Sequence, residues 1–161
     1  MNKKDFVEQV AAAEATLYHI SKSILKNDWD CADAVQETIM TAYSKLSTLR
    51  DDRFFKTWLC RILMNQCYQI YRTNQRVVPL EDYIEVAAPP GQPNLDLLDA
   101  IMGLKPALRM AVVLHYIEGF QIAETATLLN VPEGTVKSRL FRARAELRPI
   151  LGEKEELFYE A

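Results

Sequence analysis

Residues 120–147 read FQIAETATLLNVPEGTVKSRLFRARAEL and decide how the C-terminal half of this 161-residue chain folds. The segment predicts a short helix, a tight turn and a second helix. Asn130-Val131-Pro132 predicts the break between them, because the residue before a proline is disfavoured in the α region, and Pro132 suits the first position of the second helix. The first helix carries its apolar residues at helical spacing, namely Ile122, Ala126 and Leu129.

The second helix of this segment is amphipathic and basic. Four apolar residues recur on one face and predict a buried stripe: Val136, Leu140, Ala143 and Leu147. Five cations are spread over the remaining surface: Lys137, Arg139, Arg142, Arg144 and Arg148. This pattern is typical of a helix-turn-helix, whose second helix fits the major groove of DNA. The alternative is an amphipathic helical hairpin whose arginines only keep it soluble.

The composition predicts an all-α protein. Apolar residues make up 49% of the chain and glycines number only 5, and alternation of β-branched residues is absent over any length. No apolar run is long enough to span a membrane, and the start MNKKDFVEQV has no apolar signal core, so we expect a cytoplasmic protein without direct membrane insertion. Cys31, Cys60 and Cys67 form no CxxC and are expected to be reduced and half-buried. With His19 and His115 far apart, we expect no metal site and no cofactor.

Positive charge is concentrated in two islands, although the whole chain has a formal charge of −3. Residues 45–76 carry seven Lys or Arg against two Asp or Glu, and residues 130–150 carry five against two. The other segments are acidic. This distribution indicates a protein that touches a polyanion at two places and meets other proteins elsewhere.

The N-terminal part predicts helices with one acidic surface. Residues 3–27 predict one helix or a helix pair, and Asp30 is a plausible N-cap for a second helix from Cys31 to about Leu46. One side of that second helix is mostly polar: Asp33, Gln36, Glu37, Met40 and Tyr43. The unpaired acidic residues there are either a solvated face or are kept for a basic partner.

A third helix, from Phe55 to Arg72 or a little beyond, mixes aromatic and basic residues. Its predicted exposed face carries Thr57, Arg61, Asn65, Tyr68 and Arg72. Aromatic rings can stack on bases while Arg holds phosphates, which favours single-stranded nucleic acid. The alternative is that Trp58 and Tyr71 are core residues and that the arginines are only solvated.

Proline marks the division of the chain into domains. Four of the seven prolines lie in residues 77–94, which predict an extended linker. We therefore expect an N-terminal helical domain over residues 1–76, a C-terminal helical domain over residues 95–150 and an acidic tail over residues 151–161. Gly119 is expected to end the helix that precedes the helix-turn-helix, in the left-handed cap position.

Three motifs in this order resemble the extracytoplasmic-function sigma factors, the two-domain type of bacterial sigma factor. DCADAVQETIMTAYSKL (residues 30–46) is similar to the family's region 2 helix, and FKTWLCRILMNQCYQIYR (residues 55–72) is similar to the helix that follows it. VPEGTVKSRLFRAR (residues 131–144) resembles the family's region 4 recognition helix almost residue for residue. The similarity covers nearly the whole chain.

The resemblance implies a role for each surface. Asp33, Gln36 and Glu37 would dock on the β′ clamp helices of core RNA polymerase, and the second domain would rest on the β flap. The loop of residues 48–54, together with Arg61 and Asn65, would hold melted bases of the minus-ten element of promoter DNA. The recognition helix would read the minus-thirty-five element. The implied DNA-binding set is Thr135, Lys137, Ser138, Arg139, Phe141 and Arg142 in the second domain, with Arg53, Arg61 and Asn65 in the first.

Three positions depart from the family pattern. His115 stands where the family often has an arginine that grips a DNA phosphate, so that contact is absent or pH-dependent. Gln69 replaces a frequent Asp. Thr125 takes an apolar position in the first helix of the motif, which predicts looser packing there.

The function that the resemblance implies is promoter recognition as a dissociable RNA polymerase sigma factor, restrained by an anti-sigma factor. The first alternative is a dimeric helix-turn-helix regulator that binds a palindromic operator without polymerase. The second is an enzyme, which is disfavoured because the sequence has no Gly-rich phosphate loop, no nucleophile motif and no usable metal set.

Overall fold

Helices make up the architecture of both halves of the chain. The computed structural model describes residues 1–76 and 97–151, and every regular element in these two ranges is helical. The chain divides into two compact units, Met1–Arg72 and Thr73–Ala161. The prediction of an all-α protein is confirmed.

The two segments expected to be irregular fall largely outside what the structure describes. The predicted linker, residues 77–94, lies outside the described residues, as does the predicted tail after Leu151. The predicted domain limits therefore stay predictions. No helix in the described ranges is both long enough and apolar enough to cross a membrane.

Helix α1 is one continuous helix, Lys3–Leu25, and not a helix pair. The Asn2 side chain caps its start by accepting a hydrogen bond of 2.8 Å from the backbone N–H of Asp5. Its end is a left-handed residue, Lys26, with φ of 62°. The Lys26 backbone N–H donates to the Lys22 carbonyl at 3.2 Å, which satisfies one of the last free carbonyls of the helix.

Helix α2, Asp28–Ser44, starts three residues before the predicted start. The predicted cap, Asp30, is wrong: Asn27 is the N-cap, and its side-chain oxygen accepts from the backbone N–H groups of Trp29 at 2.8 Å and Asp30 at 3.3 Å. Asn and Asp cap equally well, so side-chain type does not decide which residue is the N-cap. The left-handed Lys26 ends α1, and the next residue, Asn27, is extended and therefore takes the N-cap position. Asp30 instead lies in the first turn, where its charge complements the helix dipole.

Two short 3₁₀ turns, Leu46–Thr48 and Asp52–Phe54, lead into α3, Phe55–Arg76. Within the first unit α1 packs on α2. The Phe6 and Phe55 rings meet edge to face with 5.8 Å between centroids, which ties α1 to the start of α3. The largest fully buried side chains of this unit are Leu17, Ile20, Thr38, Phe55, Leu59, Leu63 and Met64.

None of the three cysteines forms a disulfide, and all three are fully buried, not half-buried as expected. Burial raises the pKa of the Cys67 thiol to about 12, and the neighbouring Cys31 adds to the shift. Burial also raises the pKa of Cys31. The Cys31 and Cys67 thiols therefore stay protonated near neutral pH and act as small apolar core residues.

Between residues 97 and 151 the second unit is built from four α-helices. They are α4 (Leu97–Met102), α5 (Pro106–Val112), α6 (Ile122–Leu129) and α7 (Glu133–Leu151), and α5 continues into a π-helical turn, Val113–Ile117. Helix α7 packs against each of α4, α5 and α6. Its predicted stripe of Val136, Leu140, Ala143 and Leu147 is buried in the resulting core.

The turns around α6 explain how the helix-turn-helix is set. Gly119, with φ of 77°, ends the π-helical turn in the predicted left-handed conformation. Helix α6 ends at Asn130, which is also left-handed with φ of 55°, so the stop comes from this residue and not from the restriction before Pro132. Pro132 lies just before the first residue of α7, and its carbonyl accepts from the backbone N–H groups of Thr135 and Val136.

Thr125 does not loosen the packing of α6. Its side chain is fully buried. The hydroxyl donates a hydrogen bond of 2.9 Å to the Gln121 carbonyl, so the polar atom is satisfied inside the helix. The expectation of looser packing at this position is therefore wrong.

Candidate promoter-binding and polymerase-binding surfaces

The recognition helix α7 presents one exposed face opposite its buried stripe. Lys137, Ser138, Phe141 and Arg142 are all exposed, and the Phe141 ring is 65% exposed. Residues three and four apart are neighbours on a helix, so these four side chains form one continuous surface. Two cations on this face can contact phosphates. The hydroxyl can form a hydrogen bond with a base in a major groove, and the aromatic ring can make an apolar contact there.

The remaining members of the predicted α7 set lie at its flank. Thr135 and Arg139 are half-buried, because each is adjacent to the buried Val136 stripe on the helix surface. Arg144 is also half-buried, and its Nη1 donates a hydrogen bond of 2.6 Å to the Tyr116 hydroxyl. Of the five cations in this helix, Arg144 is therefore engaged inside its own domain.

His115 is held by the turn that precedes the helix-turn-helix. Its Nδ1 lies 2.7 Å from the Phe120 carbonyl oxygen. Because a carbonyl only accepts, Nδ1 is the protonated nitrogen, and in a neutral ring Nε2 is then an acceptor. The ring also packs edge to face on Tyr116, with 5.0 Å between centroids. A neutral His115 therefore has no donor left for a DNA phosphate, whereas the arginine of the family pattern has several.

The loop before α3 is organised by Asp51 and Arg53. The Asp51 carboxylate accepts from the backbone N–H of Arg53 at 3.0 Å and forms an ion pair with Arg53 Nη2 at 2.7 Å. This pairing lowers the pKa of Asp51. The Arg53 guanidinium lies 6.0 Å from the centre of the exposed Phe54 ring. The loop thus offers an aromatic ring beside a solvent-exposed cation, the two groups that stacking on single-stranded bases requires.

The predicted face of α3 is brought together only in part. Arg61, Asn65 and Arg72 are exposed, whereas Thr57 and Tyr68 are half-buried. Trp58 is half-buried with its ring 5.9 Å from that of Phe55, so it contributes to the core as the alternative held. Tyr71 is exposed, so that alternative is wrong for Tyr71.

The acidic trio of α2, which consists of two carboxylates and the Gln36 amide, is fully on the surface. Asp33, Gln36 and Glu37 are exposed, while α2 buries the opposite side, Cys31, Ala34, Thr38 and Ala42. None of the trio forms a hydrogen bond or an ion pair with another described residue. The surface is thus free to meet a basic partner.

The structure adds three residues that sequence reasoning missed. Trp29, just before the trio, is 82% exposed, and a lone aromatic in a turn gave no signal beyond its position. Tyr116 accepts the hydrogen bond from Arg144 and so links the π-helical turn to α7. Arg109 is buried, and its Nη1 donates to the carbonyl of Met102 at 3.1 Å, which ties α5 to the end of α4.

Both units match families of known proteins. Residues 10–77 match the family described as Sigma-70 region 2, and residues 94–147 match the family described as Sigma-70, region 4. The chain is 36% identical over 140 residues to an ECF RNA polymerase sigma factor, SigM of Mycobacterium tuberculosis, covering 84% of this chain and 71% of that one. It is 33% identical over 134 residues to the ECF RNA polymerase sigma-E factor of Escherichia coli, covering 71% of this chain and 70% of that one.

Solved structures agree with the sequence relatives. The sigma factor RpoE of Bartonella quintana, solved with the anti-sigma factor NepR, superposes with a TM-score of 0.76 at 30% identity, over 94% of this chain and 99% of that one. CnrH, solved with the cytosolic domain of CnrY, gives a TM-score of 0.70 at 28% identity, over 93% and 89% of the two chains. The chain therefore belongs to the extracytoplasmic-function sigma factors, the sigma-70 proteins that bind core RNA polymerase and direct it to promoter DNA.

Proposed function

We propose that this sigma factor grips its promoter at two places, one in each helical unit, and that polymerase fixes their spacing. Residues 1–76 would act on the minus-ten element and residues 95–150 on the minus-thirty-five element, with residues 77–94 as a tether. Two weak contacts on one tether become a single stronger contact once their separation is fixed. The protein is a specificity subunit in this proposal and not an enzyme.

The minus-thirty-five element would be read by the exposed face of α7. Lys137 and Arg142 supply cations for phosphates or for guanine edges, and Ser138 supplies a hydroxyl. The exposed Phe141 ring suits the methyl group of thymine, which projects into the major groove. Thr135 and Arg139 lie at the flank of the same face and would contact the DNA sugar-phosphate backbone.

The minus-ten element would be held in its melted form by the first unit. Phe54 and Arg53 in the loop before α3 combine an exposed ring with an exposed cation. Arg61 and Asn65 lie four residues apart on the exposed side of α3. Capture of unstacked bases by these groups would favour the open strand over the duplex.

Core RNA polymerase would be bound mainly through α2. The exposed trio of Asp33, Gln36 and Glu37 is the observation that carries the proposal, since carboxylates without a partner among the described residues suit a basic docking surface. The β′ clamp helices are the implied partner, and the second unit would rest on the β flap.

The chain would be cytoplasmic and restrained by an anti-sigma factor. One solved relative, RpoE of Bartonella quintana, was captured with the anti-sigma factor NepR. A protein that redirects polymerase also needs a means of being withheld, because free sigma factor would otherwise compete continuously for the core enzyme.

The proposal is tested by reconstitution with purified core RNA polymerase of the source bacterium. We expect the full chain to bind the core enzyme and to start transcription at a defined site on a promoter selected from genomic fragments. The charge-neutral variants Asp33→Asn and Glu37→Gln should weaken core binding about tenfold or more, since each removes one charge from the interface. Glu14→Gln, which removes one negative charge from the exposed surface of α1 outside every predicted set, is the matched control. Absence of core binding by the unmodified chain would refute the proposal.

A further inference from the structure

Trp29 is the most exposed of the large apolar side chains on the described surface. Its side chain is 82% exposed, although an indole is among the most apolar groups available. Single exposed apolar residues are ordinary. Trp29 differs because it lies on α2 beside the exposed trio of Asp33, Gln36 and Glu37.

Hydrogen bonds fix the start of α2 around Trp29. Its N–H donates to the Asn27 side chain at 2.8 Å. The side chain of the preceding residue, Asp28, accepts a hydrogen bond of 2.9 Å from the Tyr18 hydroxyl and forms an ion pair with Lys22. Both partners lie on α1, so these contacts join α1 to the start of α2. An aromatic side chain with two rotatable bonds on a fixed backbone loses little conformational entropy when it is buried by a partner.

Trp29 lies in register with two members of the trio, Asp33 and Gln36, and with two further apolar residues. Positions 29, 33, 36, 40 and 43 follow one another at spacings of four, three, four and three, the alternation by which one helix packs along another. Met40 is 61% exposed and Tyr43 is 51% exposed. The seam therefore has an apolar anchor at each end and polar or acidic residues in the middle.

We propose that Trp29 is an anchor of the polymerase interface, packing against a basic helix of core RNA polymerase that lies along the α2 seam of Trp29, Asp33, Gln36, Met40 and Tyr43. The inference rests on the proposed docking of Asp33, Gln36 and Glu37, and it extends that surface by one turn towards the start of α2. It adds an apolar contact to a surface otherwise defined by charge.

The chemistry of the partner follows from the charges around the seam. Asp33 lies in the seam one helical turn after Trp29, and Glu37 borders the seam one turn after Asp33, so two carboxylates lie near Trp29. An arginine on the partner can stack on the indole face and pair with the Asp33 carboxylate at the same time, whereas an acidic partner would be repelled. The heptad-like spacing calls for a helix as the element that presents it.

The affinity test compares matched variants of the full chain for binding to core RNA polymerase. We expect Trp29→Ala to weaken binding about tenfold to a hundredfold, the range of a buried tryptophan anchor. Tyr71→Ala, an exposed aromatic on α3 outside the seam, should bind like the unmodified chain. Asp33→Asn reports on the acidic trio in the same assay, and circular dichroism confirms that each variant is folded.

The second measurement keeps residue 29 aromatic. In a Trp58→Phe chain labelled with 7-azatryptophan, residue 29 is the single labelled site and can be excited apart from the tryptophans of the polymerase. We expect its emission to shift to the blue and to become protected from acrylamide on addition of core enzyme. Protection together with the loss of affinity supports the proposal.

Three outcomes would overturn it. If Asp33→Asn weakens binding but Trp29→Ala does not, or if residue 29 stays quenchable in the complex, the acidic trio docks without Trp29 and the proposed function stands. If the unmodified chain self-associates on sedimentation and Trp29→Ala abolishes this, a second copy is the occupant. If no core binding occurs at all, the proposed function falls as well.

Discussion

The Arg144 guanidinium donates a hydrogen bond of 2.6 Å to the Tyr116 hydroxyl and so joins the recognition helix to the π-helical turn before the helix-turn-helix. The two residues are 28 positions apart in the chain. Arg144 is half-buried, whereas Arg142 on the same helix is exposed. The two arginines therefore have different roles, although the sequence offers them as equivalent cations.

This difference predicts distinct responses to salt. Arg142→Met should reduce the slope of log affinity against log salt for a minus-thirty-five duplex by about 1, because one phosphate contact is lost. Arg144→Met should leave that slope unchanged and instead lower the free energy of unfolding by about 1–2 kcal/mol, because a charge-assisted hydrogen bond is removed. Fluorescence anisotropy of the full chain over a salt series and chemical denaturation measure the two effects.

Tyr116→Phe is the control for that pair. It removes only the acceptor hydroxyl, so it should destabilise the protein as Arg144→Met does, and the double variant should cost less than the two single changes added together. A salt slope lowered by Arg144→Met as much as by Arg142→Met would show that Arg144 reaches DNA.

A second prediction separates the two promoter contacts in the holoenzyme. Arg142→Ala should weaken binding to a minus-thirty-five duplex about tenfold, because the lost side chain lies on the exposed face of α7. Asn65→Ala should leave that binding unchanged and reduce the fraction of promoter that melts, as measured by permanganate reactivity of unpaired thymines. Equal effects of both variants on duplex binding would contradict the division of roles.

The sequence predicted those parts of the site that depend on local periodicity. The stripe of Val136, Leu140 and Ala143 was readable because an α-helix returns to the same face every three or four residues. Because this stripe is buried, the same periodicity also predicted the exposed face of α7 with Phe141 and Arg142. The all-α class followed in the same way.

The parts that depend on tertiary contacts were not readable. The pairing of Arg144 with Tyr116 joins different helices, and the sequence gives no distance between them. The start of α2 at Asn27 instead of Asp30 depends on the left-handed Lys26, a conformation that a lysine seldom adopts. The sequence also could not show that Thr125 would be satisfied by a carbonyl of its own helix.

A third prediction concerns acid stability at the start of α2. Hydrogen bonds from Lys22 and then from Tyr18 lower the pKa of Asp28. The stabilisation is therefore present above the carboxyl pKa of the unfolded chain, about 4, and is lost as pH falls through the lower folded value. Asp28→Asn should melt at a lower temperature than the unmodified protein near pH 7, and the difference should shrink steadily below pH 4.

A fourth prediction concerns the buried thiols. Because burial raises the pKa of Cys67 to about 12, this thiol has almost no thiolate at pH 8. Iodoacetamide should therefore leave the folded protein unmodified for hours and should label all three cysteines once urea unfolds it, as followed by mass spectrometry. Stability should also decline as pH rises from 9 towards 12, since the unfolded thiol ionises first. Rapid labelling of Cys67 in the folded chain would contradict its assignment to the core.

The last prediction compares two exposed glycines, Gly119 and Gly134, that have different backbone conformations. A Cβ added at Gly119 or at Gly134 would meet nothing within 4 Å, so neither substitution creates a clash. Gly119 has φ of 77°, and Ala in that left-handed conformation costs about 1–2 kcal/mol. Gly134 lies in the first turn of α7, where Ala narrows the unfolded ensemble and stabilises by about 0.4–1 kcal/mol. Chemical denaturation should give shifts of opposite sign for Gly119→Ala and Gly134→Ala, and a Gly119→Ala variant as stable as the unmodified chain would show that the turn before α6 does not require the left-handed conformation.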